Sequence, residues 1–355
     1  TAGGTFHVMR VIVDGHVFGM APDGGIARYW TEIIRAAAHL ELPMRFDVAL
    51  SPTARRPAGV PCRTSGSLSA YWAAWRADLF HTTYYTHWPR MKCPSVATVY
   101  DFVDASFPLL RPNGEGFVGR QMAALKRAAA VVAISKSTRD LAVRLAGIDP
   151  ARLFVAYPAV AAPFAAPLPG AAEIRKFRAE QTGGAPYLVH VGDRRNYKNF
   201  RTVLRAFCRA APSMDRHLLI LGGKHPLAED ELDWVYSARL SNRVHFCSRV
   251  DDATLRLAYA GADAMVHASR MEGFGIPVIE ALACGTGLIL SDIPVYREIA
   301  EGRAVWVEAD DVEAWEQALK TDVRVQPGWR EEVLKSYTWE AAARVHLDAY
   351  RSVFP

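Results

Sequence analysis

From end to end the chain alternates short runs of apolar, β-branched residues with longer amphipathic stretches, and it does so in two successive halves. Val8–Asp14, Arg45–Leu50, Leu79–Thr83, Ser95–Tyr100, Val131–Ile134 and Leu153–Ala156 read as strands of the first half. Leu188–Val191, Leu218–Leu221, Val244–Cys247, Ala264–His267, Leu288–Leu290 and Val305–Val307 read as strands of the second. Helical patterns separate them: a stretch from Ile26 through Ile33, Ile34 and Ala37, then Glu115–Ala129, Phe200–Ala211, Glu229–Leu240, Thr254–Ala260 and Pro277–Ala283. Strands that alternate with helices build parallel sheets covered by helices. The expected architecture is therefore α/β, as two doubly wound, Rossmann-like domains facing a central cleft, with the ligand beyond the carboxyl ends of the strands.

The Pro/Ala-rich segment Tyr157–Pro169 is the expected linker, and Pro158, Pro163, Pro167 and Pro169 are expected to exclude a helix from residues 156–172. Domain boundaries follow at 1–165 for a first domain and 166–335 for a second. The last helical run, Trp339–Phe354, has no strand after it, and residues 336–355 are expected to cross back to the first domain.

Half the 355 residues are hydrophobic and 22% are charged, the composition of an ordinary globular chain large enough for two cores. Five scattered cysteines (Cys62, Cys93, Cys208, Cys247, Cys284) form no Cys-x-x-Cys pair and fit free thiols in a reducing compartment. No apolar run is long enough to span a bilayer, and the N-terminus lacks the pattern of a signal peptide, so a cytoplasmic location is expected. The net charge of +5 is mild, and no nucleic-acid-binding motif accompanies it.

The most informative segment is Arg270-Met-Glu272-Gly-Phe274-Gly275-Ile276-Pro277-Val-Ile-Glu280-Ala-Leu-Ala-Cys-Gly285, just after the strand 264–267. Its glycines allow close backbone approach to a ligand, and Pro277 suits the first turn of a helix. Backbone N–H groups near Phe274, Gly275 and Ile276 would then face an anion such as a diphosphate. Two carboxylates flank that anion site. Glu280 is placed in the first helical turn, where its plain reading is a dipole partner, and the plain reading of Glu272 is a solvated side chain.

Glu272 and Glu280 form a Glu-x7-Glu pattern, and the stretch closely resembles that of family 4 retaining glycosyltransferases with the GT-B fold. The resemblance covers most of residues 186–300. It implies that Glu272 lies near the donor sugar and that Glu280 hydrogen-bonds the nucleotide ribose. A second segment, Gly192-Asp-Arg194-Arg195-Asn-Tyr-Lys198-Asn199, resembles the family's Gly-x-Arg-x-x-Tyr-Lys-Asn variant, in which the Arg and Lys bind donor phosphates. Those roles fall on Arg194 and Lys198, whose charges suit a diphosphate; a basic loop is their plain reading. A third, Asp23-Gly24-Gly25-Ile26-Ala27-Arg28-Tyr29, is similar to an N-terminal family segment facing the donor phosphates and acceptor, which assigns Gly24 and Gly25 to the site. The segment 247–252, with Val250, matches where the family places the base, held largely by backbone contacts. His267 and Ser269 stand where they can contact donor groups, although packing explains His267 equally.

One segment departs from the pattern. Relatives end the strand equivalent to Ser95–Tyr100 in His-Asp, whereas this chain has Tyr100-Asp101. A phenol donates a hydrogen bond but carries no proton near neutral pH. Tyr100 and Asp101 are kept as catalytic candidates, with a buried turn residue the equal reading of Asp101. His81 and His87 are possible substitutes for the missing His.

Without an Asp-x-Asp triplet, no metal site is expected, and Arg194, Lys198 and helix N–H groups would compensate the diphosphate. The resemblance further implies retention by same-face attack. No cofactor is expected beyond the nucleotide-sugar donor, and the acceptor is expected to be a glycan or lipid-linked. Trp72, Trp75, Tyr84, Tyr85 and Trp88 could stack on sugar faces or simply pack. Basic residues from Arg120 to Arg144 suit either a solvated helix face or an anionic membrane surface at the inner face of the cytoplasmic membrane. The Gly-x-Arg-x-x-Tyr-Lys-Asn variant resembles enzymes that build bacterial surface polysaccharides, often from GDP-mannose. Competing readings are an epimerase-type enzyme acting on nucleotide sugars, and a non-catalytic transferase-like subunit.

Overall fold

A computed structural model describes residues 8–22, 24–50, 54–64, 77–86, 92–108, 114–223, 226–248 and 250–354. His87, Trp72, Trp75, Trp88 and Asp23 lie outside them. The chain divides into two compact units, Thr1–Pro158 with Thr338–Pro355, and Ala159–Tyr337.

The first unit runs β1 (Met9–Asp14), α1 (His16–Met20), α2 (Gly25–His39), β2 (Met44–Leu50), β3 (Cys62–Thr64), β4 (Leu79–Thr82), β5 (Ser95–Val99), α3 (Val103–Ser106), α4 (Gly114–Arg127), β6 (Ala130–Ala133), α5 (Lys136–Ala146) and β7 (Leu153–Val155). Among the described residues its strands form one parallel sheet in the order β3-β2-β1-β4-β5-β6-β7. Residues 19–25, whose glycines read as a loop after the first strand, are partly helical: α1 extends to Met20 and Gly25 already opens α2. Ala27, Trp30, Ile33, Ile34 and Ala37 recur at helical spacing and are buried on one face of α2. Ser135 caps α5, its Oγ accepting from Thr138 N at 2.9 Å, and Gly147 closes that helix in the left-handed region. The C-terminal helix, Trp339–Arg351, packs on α2, β6 and β7 of this unit.

The second unit runs α6 (Ala162–Ala165), α7 (Ala171–Thr182), β8 (Tyr187–Val191), α8 (Phe200–Ala210), β9 (His217–Leu221), α9 (Glu229–Ser237), β10 (Val244–Cys247), α10 (Asp252–Gly261), β11 (Ala264–His267), α11 (Ile276–Ala283), β12 (Gly287–Ser291), α12 (Pro294–Ala300), β13 (Val305–Val307), α13 (Val312–Leu319) and α14 (Trp329–Ser336). The C-terminal helix of the first unit follows as α15. The sheet is again parallel, in the order β10-β9-β8-β11-β12-β13. Leu188, Leu218, Ile220, Val266 and Ile289 of the strands pack with Phe207 of α8 and Trp315 of α13 in a dry core.

The expectation of no helix within 156–172 is corrected by α6. That single turn carries Pro163 in its first turn, where the missing N–H has no intrahelical partner to lose. No helix among the described residues is long and apolar enough to cross a membrane.

Candidate functional site

In the second sheet β8 leads through α8 to β9 on one side, while its neighbour on the other side is β11, which leads through α11 to β12. The chain therefore leaves β8 and β11 in opposite directions, and loops diverging from their carboxyl ends leave a crevice where ligands of such sheets bind. The two most informative sequence segments are the loops that leave these strands.

The β8 loop ends in a 3-10 turn, Asn196–Lys198, and Asn199 follows in the left-handed region at φ 54°. Asn199 holds that conformation by donating Nδ2 to Ala309 O at 2.7 Å and accepting from Thr202 Oγ1 at 2.9 Å. Arg270, in the β11 loop, donates its backbone N to Tyr197 O at 2.8 Å and Nη1 to Asn196 O at 2.8 Å, which ties the two loops together.

Lys198 Nζ consequently reaches Glu272 Oε1 at 2.6 Å, and Ser269 Oγ donates to the same oxygen at 2.7 Å. Both charged side chains are largely covered, 15% and 10% exposed. Burial is the largest single influence on Lys198 and works against its charge, but the charge and hydrogen bond of Glu272, with Tyr197, together lift the ammonium pKa above the usual lysine range. Every protein hydrogen bond to Glu272 among the described residues ends on Oε1.

Gly275 stands at the N-terminus of α11 with φ 114°, and a Cβ there would lie 2.9 Å from Tyr296 Cε1. Phe274 is buried against Tyr337, and Ile276 and Pro277 form the first turn of the helix. Glu280 is not in that first turn, as expected from sequence, but one turn further in and buried. A dipole partner would sit in the first turn, so the plain reading of Glu280 is removed. Instead Glu280 neighbours Tyr259 and Cys284: burial first, and the carboxylate second, push the Tyr259 phenol well above its ordinary range and the Cys284 thiol up to about 12. Val250 is partly exposed beside Asp251, which caps α10 by accepting from Thr254 N at 2.8 Å.

Arg194 engages partners other than the Lys198–Glu272 pair. Its guanidinium lies over the Phe246 ring at 4.7 Å, and Nη2 donates to Pro226 O at 2.8 Å. Beside it opens a cavity of about 510 Å³ lined by Arg194, Arg195, Arg201, Arg205, Arg270 and Trp234 among others, and by neither Lys198 nor Glu272.

The remaining candidates belong to the first unit. Tyr100 directly follows β5 with its side chain buried, its hydroxyl accepting from Trp30 Nε1 at 2.7 Å, and burial pushes its pKa well up. Asp101 Oδ1 accepts from Val103 N at 2.9 Å, which satisfies an N–H at the start of α3. His81 lies wholly inside, bonded to Thr98 Oγ1 and Tyr350 OH at 2.9 Å each. Gly24 is the N-cap of α2, and Gly25 its first residue. Tyr84 and Tyr85 pack around Phe117. Arg120, Lys126, Arg127 and Arg144 are exposed along α4 and α5.

Three residues escaped the sequence reading. Asp14, at the end of β1, is buried and accepts from Thr83 N at 2.9 Å and from the hydroxyls of Thr83 and Thr86, fastening the chain after β4 to β1. An Asp closing an apolar strand just before Gly15 was the available signal. His190 and Tyr296 come within reach of the site through tertiary packing, and no local pattern marks them.

Known proteins resemble this chain along most of its length. The family model for glycosyl transferases group 1 matches residues 172–323, and that for glycosyltransferase family 4 matches residues 23–162. The O-antigen chain mannosyltransferase RfbU of Salmonella typhimurium is 34% identical over 134 residues, 38% of this chain and 37% of the relative. The O-antigen chain mannosyltransferase B of Escherichia coli is 27% identical over 179 residues, 46% of this chain and 45% of the relative. The chain thus spans less than half the length of these curated relatives. Among solved structures, sucrose-phosphate synthase from Thermosynechococcus elongatus superposes with a TM-score of 0.76 at 19% identity, covering 98% of this chain and 99% of that one.

Proposed function

The chain belongs to the family 4 glycosyltransferases of the GT-B fold, and from that membership we propose that it moves a hexose-type sugar from a nucleotide-diphosphate donor to a glycan or lipid-linked acceptor. The observation that supports this reading furthest is the Lys198–Glu272–Ser269 cluster at the switch point of the second sheet. A cation, a carboxylate and the first turn of α11 lie together there, the charges that a sugar diphosphate needs. Glu272 Oε2 is open to a hydroxyl of the donor sugar, Glu280 is the carboxylate for the ribose, and Lys198 and Arg194 meet the diphosphate.

In the proposed reaction the bond between the sugar C1 and the diphosphate oxygen breaks, and the acceptor oxygen bonds to C1 from the same face. The acceptor proton passes to the departing phosphate. Positive charge from Lys198 and the α11 N-terminus stabilises the negative charge that develops on the leaving group. Because residues supply that charge, we propose transfer without a divalent metal. The mannosyltransferase relatives and the Gly-x-Arg-x-x-Tyr-Lys-Asn segment favour GDP-mannose as donor.

A thermal-shift panel of GDP, UDP, dTDP and ADP, followed by turnover of the corresponding nucleotide hexoses, tests the reading. A ligand that binds only the folded chain raises its midpoint by mass action. The expected result is one base preferred, turnover of its hexose form, and turnover unchanged in EDTA. Absence of any shift and any turnover would sink the reading, and loss of turnover in EDTA would remove metal independence alone.

A further inference from the structure

Glu272 is engaged from a side that neither the phosphate loop nor its own loop supplies. Tyr296 of α12 places its hydroxyl 3.4 Å from Glu272 Oε1, the oxygen already bonded by Lys198 and Ser269. Its ring packs under Gly275, where any Cβ would strike it. Behind the ring, the phenol oxygen makes a short contact with Nδ1 of His267, the last residue of β11. Tyr296 and His267 are wholly buried. Burial, and after it Glu272, keeps the phenol neutral; burial, and after it Lys198, keeps the imidazole neutral.

The phenol oxygen also meets the Ser269 hydroxyl, and its one proton has two acceptors within reach, Glu272 and His267. Directed at the carboxylate, 3.4 Å away, it makes a long hydrogen bond to a charged acceptor, and otherwise two oxygens would face each other without a proton. His267 then donates through Nδ1 to the phenol oxygen, and its Nε2 is left as a lone pair. Among the described residues Nε2 has no hydrogen-bond partner, and a bare lone pair is less costly there than a buried N–H.

We propose that Tyr296, oriented by His267, is a positioning residue for Glu272: it completes the set of donors on Oε1 and so fixes Oε2 as the oxygen presented to the donor sugar. This rests on reading Glu272 as the carboxylate beside that sugar. A carboxylate held by two donors on one side can swing, and small displacements of a reacting group lower rates steeply.

The test measures kcat and KM with the nucleotide hexose that turns over in the panel above, for the native chain, Glu272→Gln, Tyr296→Phe, His267→Leu, His267→Asn and the Tyr296→Phe/His267→Leu pair. Tyr296→Phe is expected to lower kcat about 10-fold with KM changed less than about 2-fold. His267→Leu should match it, the pair should lose no more than either alone, and His267→Asn, which keeps an N–H donor, should recover most of the rate. Native kcat in Tyr296→Phe beside an inactive Glu272→Gln overturns the positioning role and leaves the donor-site reading standing. An active Glu272→Gln, or no turnover by the native chain, overturns the reading and the proposal with it. Should Tyr296→Phe fail to fold, equal rates for His267→Asn and His267→Leu overturn the proposal.

Discussion

Lys198 and Glu272 form an ion pair that water barely reaches, so removing one partner leaves the other charge covered and unpaired. If the proposed reaction holds, Lys198→Ala should lower turnover by about 10²-fold or more, read from kcat, because it also removes positive charge that the reaction places beside the leaving group. It should cost roughly 1–3 kcal/mol of stability, read from urea denaturation. Gly275 shows a different constraint. At φ 114° it occupies backbone space that side chains rarely enter, and a Cβ would lie 2.9 Å from Tyr296 and 3.0 Å from Ile299. Gly275→Ala should therefore destabilise the chain by roughly 1–3 kcal/mol and lower turnover as well, since the displaced ring is the one that meets Glu272. Unchanged stability and rate would show that the loop yields. The Gly-x-Gly spacing marked this position in the sequence, but the atoms that make it necessary come from α12, more than a dozen residues away.

At the scale of elements, α15 is the clearest case of chain order and packing order differing. It follows the last helix of the second unit yet packs on α2, β6 and β7 of the first. The contact is polar as well as apolar: Tyr29 OH and His346 Nε2 are 2.8 Å apart, and Tyr350 OH meets His81 Nδ1 at 2.9 Å. His346, Leu347, Ala349 and Tyr350 are buried, so α15 covers Trp30 and His81 as a core element rather than a tail. Truncation after Tyr337 should abolish cooperative unfolding of the first unit, read as the loss of its near-ultraviolet circular dichroism. A truncated chain with native spectrum and melting would contradict that. The helix was legible from its amphipathic run after Thr338, which caps it by accepting from Ala341 N at 3.2 Å. Helix α6 was not legible, since four prolines within a short segment argue against helix in general and only position decides that Pro163 is harmless.

For the molecule as a whole, the four histidines that are wholly buried among the described residues set the acid limit. His81 and His346 of the first unit, and His190 and His267 of the second, have pKa values pushed well down, first by burial, with His346 lowered to about 3. Folded, they stay neutral; unfolded, they take up protons near the ordinary value of 6.5. The unfolded chain thus binds more protons below that pH. Stability should be independent of these groups above pH 6.5 and fall below it, by at most about 1.4 kcal/mol per pH unit for each. For His346 the fall ends near pH 3, where the folded form also protonates. Urea midpoints at pH 7.5 and 5.5 should show the drop, and His346→Gln should reduce its slope. A flat profile would mean that the imidazoles are hydrated in the folded chain.

The alternation of strands and helices and the glycines and proline of the α11 loop were implicit in the order of residues, because they follow from local periodicity and turn chemistry; the ion pair between Lys198 and Glu272 was not, since it needs the loops after β8 and β11 brought side by side. Tertiary structure alone decided which side chains stand behind them. Tyr100, a site candidate from the sequence, is buried and bonded to Trp30, and Tyr296, in a helix the sequence reading did not mark, reaches Glu272. A strand-end position can be read from spacing along the chain. The direction a buried side chain takes, and the partner it meets across a sheet, depend on packing between segments that the sequence does not place side by side.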